Sequence, residues 1–188
     1  MRELTSVPAA SASEPFALLL DIETRSRRNA MGIPQQVEVR RTWSGIGFRV
    51  GAQRLVSAMG EIKEILEFPP LTRVPGALPW VKGIANVRGN LLPIMDLKGF
   101  LGDGGMELDR RTRVLVIRHG GLAAGLIVDE VLGMRHFFDE ERTDVSGLDG
   151  AFAKHLDGAY RQGGTLWGIF STLSLAKDPR FLHVATQA

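Results

Sequence analysis

Apolar positions along most of this chain fall in short runs broken by Gly, Pro, Asn and Asp, a pattern of strands more than of long helices. The densest pair of runs covers residues 81–87 and 91–97 and flanks the polar interruption Arg88-Gly89-Asn90. Gly89 and Asn90 tolerate positive φ, so the pattern predicts a tight hairpin between antiparallel strands. Both runs are apolar on both faces, which predicts strands buried within a barrel or sandwich. Pro93 cannot donate to a ladder and marks an edge, a bulge or a bend in the second strand.

The same reading extends to the rest of the chain. Residues 43–50 and 55–59 flank a turn at 51–54, and residues 61–66 fit either a strand or one helical turn. Pro69, Pro70, Pro75 and Pro79 predict a stiff extended connection. Residues 112–118 and 122–132 read as two buried strands, 137–149 as polar and irregular, and 151–160 with 165–170 as a last strand pair. Ser171 or Thr172 is placed to cap a short helix over 173–177, stopped by Pro179. Ahead of the strands, Pro15 opens a helical pattern to about residue 30. Phe16, Leu19 and Leu20 form its apolar stripe with Ile22 beside it, and Arg25, Arg27 and Arg28 load its C-terminal end. That stripe suits packing on the parent domain or docking to a partner. Residues 1–14, rich in Ala, Ser and Thr, read as a disordered tail. Many short strands with regular turns predict a mainly β fold, a barrel or a pair of barrels.

Composition narrows the function classes. The chain has 188 residues, 44% hydrophobic and 23% charged, as in a globular protein. It contains no cysteine, which removes disulfides, thiolate nucleophiles and thiolate metal sites. No apolar run approaches a membrane span, so a cytoplasmic protein without direct membrane insertion is expected. A net charge of +2 does not by itself point to nucleic acid. His119, His136, His155 and His183 lack metal-site spacing, and neither a nucleophile elbow nor a phosphate loop is present. The glycine clusters at 45–47 and 102–105 read as turns, and Asp129-Glu130 and Asp139-Glu140-Glu141 as solvated faces or strand-end charges. No catalytic, cofactor-binding or metal-binding residue emerges, and the reading is a non-enzyme.

The hairpin stretch Val81, Gly83, Asn86, Val87, Arg88, Gly89, Pro93, Asp96 and Leu97 resembles the signature of the CheW family of chemotaxis coupling proteins, with Val87 in place of the usual Leu. Glu61 to Leu66, Thr72 to Pro75, Thr112 to Ile117 and Gly125 to Val131 resemble further segments of that family, covering about residues 43–177. The resemblance implies two SH3-like five-stranded β-barrel subdomains over 43–180, with a short C-terminal helix. Residues 1–42 form an N-terminal extension with no counterpart in a minimal member. The stretches beginning at Pro15, Trp43 and Pro79 are most similar to the branch serving type IV pili and twitching motility.

What the resemblance implies for function is a non-catalytic, cytoplasmic adaptor at receptor arrays of the inner membrane. Its partners would be the regulatory domain of a CheA-type histidine kinase and the cytoplasmic tip of a methyl-accepting chemoreceptor. Partner-binding candidates carried over from the family are Glu64, Ile65, Gly83, Asn86 and Arg88. Each has a plainer reading. Arg88 is also an ordinary surface arginine, Asn86 a residue that satisfies turn backbone, and Glu64-Ile65 an exposed strand Glu beside a core Ile. Arg110, Arg111 and Arg113 form a basic cluster that solubility explains. The alternative from another class is a small barrel that binds nucleic acid. Against it, the basic residues are not interleaved with exposed aromatics.

Overall fold

The computed structural model describes residues 14–29, 41–102, 104–148 and 150–183. The expected tail lies outside them apart from Glu14. The chain divides into two units, residues 1–39 and residues 40–188. The first contributes one helix, α1 (Glu14–Asn29). Asp21 pairs with Arg25 at 2.6 Å and Glu23 with Arg27 at 2.7 Å, one turn apart with the acid first. That order supports a helix by a few tenths of a kcal/mol per pair. Phe16, Leu19, Leu20 and Ile22 are exposed on it.

The second unit is mainly β. It opens with the hairpin β1 (Thr42–Val50) and β2 (Gln53–Ala58), followed by β3 (Ile62–Glu67). The prolines at 69–79 then hold an irregular extended connection to β4 (Val81–Val87) and β5 (Asn90–Asp96). A short helix α2 (Leu97–Leu101) precedes β6 (Arg113–His119) and β7 (Leu122–Val128). After β8 (Glu130–Phe138) come β9 (Arg142–Thr143), α3 (Gly150–Ala153), β10 (Leu156–Gln162), β11 (Thr165–Phe170), α4 (Thr172–Ala176) and α5 (Pro179–Leu182).

These strands make two sheets. One has five strands in the order β3-β6-β7-β5-β4, and the other six in the order β8-β1-β2-β11-β10-β9. The sixth strand is the two-residue β9, which borders β10. The five-stranded sheet is contiguous in sequence, whereas the six-stranded sheet is interrupted by it.

That interruption explains where the sequence pattern misleads. The apolar run 122–132 is two strands in different sheets, not one. Asp129 is the crossing point: its N–H bonds Arg49 O at 3.0 Å, while Arg49 holds the Asp129 and Glu130 carboxylates at 3.2 and 2.7 Å. Because Val128 is buried and Val131 packs on the same core, hydrophobicity does not register the crossing. Likewise the segment expected to be irregular begins with the end of β8, and the strand expected from 151 opens as a helical turn. Ser171 caps α4 by accepting from Ser174 N at 3.3 Å. Pro179 both follows that helix and opens α5, for which Asp178 accepts the Arg180 N–H at 2.8 Å.

One core joins both sheets, packing Phe48, Leu55 and Phe170 with Ile94, Leu115 and Leu126. A second, aromatic core lies within the six-stranded sheet, where Phe137 stacks on Tyr160 at 4.6 Å and meets Trp167 edge-on. A polar joint also links the sheets. Glu61 Oε2 accepts from Thr172 N at 2.7 Å and Thr172 Oγ1 at 2.8 Å, and His119 Nε2 lies 2.6 Å from the same hydroxyl.

Asp96, at the end of β5, is fully buried. Its Oδ1 accepts from Gly99 N at 2.9 Å and caps α2, while Oδ2 accepts from Met106 N at 3.0 Å and faces Lys82 Nζ at 3.1 Å. Its own N–H bonds Trp80 O at 2.7 Å. Pro93 pairs with Ile84 of β4 and immediately precedes the stretch of β5 that pairs with β7, which starts at Ile94. Its missing donor therefore falls before that ladder begins. The outer edge of β4 is covered by the connection itself, through Thr72 N to Ile84 O at 2.9 Å and Ile84 N to Thr72 O at 2.8 Å. Gly83 makes this possible, because a Cβ there would sit 2.5 Å from Thr72 O, at a φ of +150°.

His155 lies under the C-terminal helices, buried among Phe100 and Phe170, with both ring nitrogens lacking a hydrogen-bond partner. Burial holds its pKa below the ordinary value, and the Asp178 carboxylate 3.5 Å away does not reverse this.

Three outcomes are expected. Asp96→Ala strands two amides and an ammonium and should cost about 3–5 kcal/mol in urea unfolding, with Asp96→Asn costing less. Gly83→Ala should cost about 2 kcal/mol or more by the same measurement, from the clash and the backbone conformation. His155 charges more readily unfolded than folded, so its contribution is complete above its unfolded pKa of about 6.5 and is lost as pH falls through the lowered folded value. His155→Leu should flatten the melting-temperature profile below about pH 6.5.

Candidate partner-binding face

The five candidates fall on two strands that border opposite edges of the five-stranded sheet. Glu64 and Ile65 are on β3, and Gly83, Asn86 and Arg88 belong to β4 and the turn after it. Curvature of the sheet brings the two edges together. Arg88 Nη2 lies 2.6 Å from Glu64 Oε1, the arginine side chain 79% exposed and the glutamate 25%. A flat sheet would hold these strands four strand spacings, about 19 Å, apart, beyond the reach of the two side chains.

Glu64 and Ile65 do not divide as an exposed acid beside a core apolar residue. Side chains alternate along a strand, and Glu64 shares the face of Leu66. Ile65 points out and is 41% exposed. Glu64 thus stands at the mouth of the barrel, where water and Arg88 both reach its carboxylate.

The turn at Arg88 also differs from expectation. Positive φ occurs at Arg88 (52°) and Gly89 (84°), not at Gly89 and Asn90. Two successive left-handed residues fit a two-residue hairpin turn whose twist matches the flanking strands. Asn86 Oδ1 accepts the Gly89 N–H at 2.8 Å and holds the turn, while its side chain stays exposed. A left-handed conformation costs a non-glycine residue roughly 1–2 kcal/mol, and asparagine or glycine would fit position 88 better. Arginine stands there against the local preference of the backbone.

Gly83 presents nothing outward. It is buried, and its role is the close approach of Thr72. Leu91, which the candidate set omits, is 71% exposed and lies opposite Asn86 in the hairpin. It lines a shallow groove of about 440 Å³ with Pro70, Leu71, Thr72, Ile84 and Asn86. Its signal in the sequence was the pair Leu91-Leu92, since adjacent strand residues cannot both face the core. The candidate residues therefore provide an exposed guanidinium paired with a half-buried carboxylate, and Ile65 on β3 and Leu91 on β5 are exposed apolar side chains. Among the described residues, no three His, Cys, Asp or Glu side chains gather as a metal-holding group.

Known proteins place the chain. The chain is 48% identical over 172 residues to protein PilI of Pseudomonas aeruginosa, an alignment covering 91% of this chain and 96% of that one. It is 33% identical over 140 residues to protein FrzA of Myxococcus xanthus, covering 74% and 85% of the two chains. The crystal structure of scaffolding protein TtCheW from Thermoanaerobacter tengcongensis superposes with a TM-score of 0.63 over 70% of this chain and 90% of that one. At 20% identity that likeness speaks for the fold alone. Residues 44–180 match the CheW-like domain, and the chain belongs to that family.

Proposed function

We propose that the chain is a non-catalytic adaptor that couples a methyl-accepting chemoreceptor to a CheA-type histidine kinase, in a pathway controlling type IV pili and twitching motility. Membership of the CheW-like family supports the scaffold role, and the similarity to PilI and FrzA supports the pathway. No described helix is long and apolar enough to cross a membrane. Attachment to an array at the inner membrane then runs through protein contacts, with the chain on the cytoplasmic side.

The observation that carries the binding assignment is Arg88 held left-handed and 79% exposed over Glu64. A backbone outlier persists where its surroundings over-determine it, and such outliers cluster at ligand clamps. Guanidinium is planar and always charged, so the part of the fork not engaged by Glu64 suits a carboxylate or carbonyl of the kinase regulatory domain. Ile65 on β3 and Leu91 on β5 are exposed apolar side chains available to such an interface. Glu64 sets the direction of the guanidinium. Asn86 and Gly83 serve indirectly, one by shaping the turn and one by seating β4. Signal passes only if these contacts differ in strength between the active and inactive states of the array.

The left-handed turn allows a test that separates binding from folding. Arg88→Gly relieves the backbone while removing the side chain, so its urea midpoint is expected to match or exceed that of the natural chain. The exposed pair with Glu64 contributes no more than about 1 kcal/mol. Titration against the kinase regulatory domain is expected to weaken roughly thirtyfold, with Arg88→Lys between the two. Equal affinity for Arg88→Gly and the natural chain would sink the assignment. Tight, strongly salt-dependent binding of a labelled oligonucleotide would favour the nucleic-acid reading instead.

A further inference from the structure

A second groove, of about 550 Å³, adjoins the same connection and shares Pro70 and Leu71 with the groove at Leu91. Phe68, Leu71, Met106 and Leu108 form its apolar wall, and Arg73 and Lys82 its charge. Lys82 is matched by the buried Asp96 carboxylate at 3.1 Å. Arg73 is exposed and has no ion pair or hydrogen bond among the described residues. No acidic residue lines the groove. It therefore carries one uncompensated positive charge beside an apolar floor, with Leu108 55% exposed.

Its rim has a further property. Pro69 and Pro70 fix their own φ just before residues 71–73, and Pro75 biases Val74 just after them towards extended backbone. Thr72 gives both its N–H and its C=O to Ile84. In an extended chain the neighbouring residues turn their polar groups to the opposite side. Accordingly, Leu71 and Arg73 have no backbone hydrogen-bond partner among the described residues. The stretch is a strand edge already ordered by proline, open on the side away from β4.

We infer that the 71–73 edge and its adjoining groove accept an extended acidic segment of a partner protein, added as a further strand, with a carboxylate on Arg73 and an apolar side chain against Leu71 and Leu108. Main-chain bonds of this kind give affinity, and pockets for alternate side chains give specificity. Proline lowers the ordering cost of the acceptor edge. The charge favours an acidic segment over a basic one, since a basic segment would bring like charges together at Arg73. The inference rests on the reading of this chain as a scaffold but uses a surface separate from Arg88.

The probe is a fluorescent eight-residue peptide alternating valine and aspartate, with a second peptide carrying lysine in place of aspartate. Both are titrated against the full-length chain by anisotropy, and amide shifts are followed by NMR. The aspartate peptide is expected to bind with shifts at Leu71 and Arg73, and the lysine peptide to bind at least roughly tenfold more weakly. Arg73→Glu should weaken the aspartate peptide by roughly tenfold or more without changing the melting temperature. Arg88→Gly should leave the peptide affinity unchanged while it weakens the kinase domain, so the two readings fail separately. Equal binding of both peptides, an unaffected Arg73→Glu variant, amide shifts confined to other residues, or no binding of the aspartate peptide up to about 1 mM would each overturn the inference.

Discussion

The buried carboxylate of Asp96 holds together parts of the chain that the rest of the five-stranded barrel needs in place. It caps α2, anchors the following loop at Met106 and fixes Lys82 of β4, and its own amide reaches Trp80. A charge out of contact with water is tolerated only when donors surround it, and here two amides and an ammonium do so. The hairpin between β4 and β5 is thereby fastened at the end opposite its turn. With that end fixed, the turn can hold an unfavourable backbone at Arg88 without slipping register. Stability at one end of the hairpin underwrites display at the other.

Closure of the barrel follows a different constraint. Thr72 can reach β4 only because Gly83 has no side chain, and the prolines on either side restrict the backbone just before and after residues 71–73. The same short connection thus covers β4 and forms the rims of two grooves. The joint of Glu61, Thr172 and His119 then ties this barrel to the six-stranded sheet at the point where the chain passes between them. These are polar contacts in a largely apolar boundary, and they fix orientation more than they add stability.

The strand pattern, the hairpin at 81–97 and the helix at 15–30 were legible because periodicity, turn residues and proline all agree there. The crossing at Asp129 was not, since the apolar run continues through it and only the partner of each half changes. The geometry that brings the candidate residues Glu64 and Arg88 together was not legible. Glu64 and Arg88 are 24 positions apart, and nothing local to either signals an ion pair across a closed sheet. Ile65 was harder still, because the choice of inward face on β3 turns on a one-residue register. Leu91 could have been found by strict alternation from Leu92.

The interrupted topology has a consequence for synthesis on the ribosome. Every strand of the five-stranded barrel has been made once residue 128 is added, whereas β2 must await β11 at residues 165–170 for its second neighbour. Domains assemble as their residues emerge, from the N-terminal side onward. Here the middle of the chain completes its barrel first. The early hairpin of β1 and β2 places Phe48 and Leu55 in the same core, which is complete only after Phe152, Phe170, Leu175 and Phe181 have been made. All five strands of the middle sheet are thus available before β10 and β11, which complete the other side of the shared core, have been made.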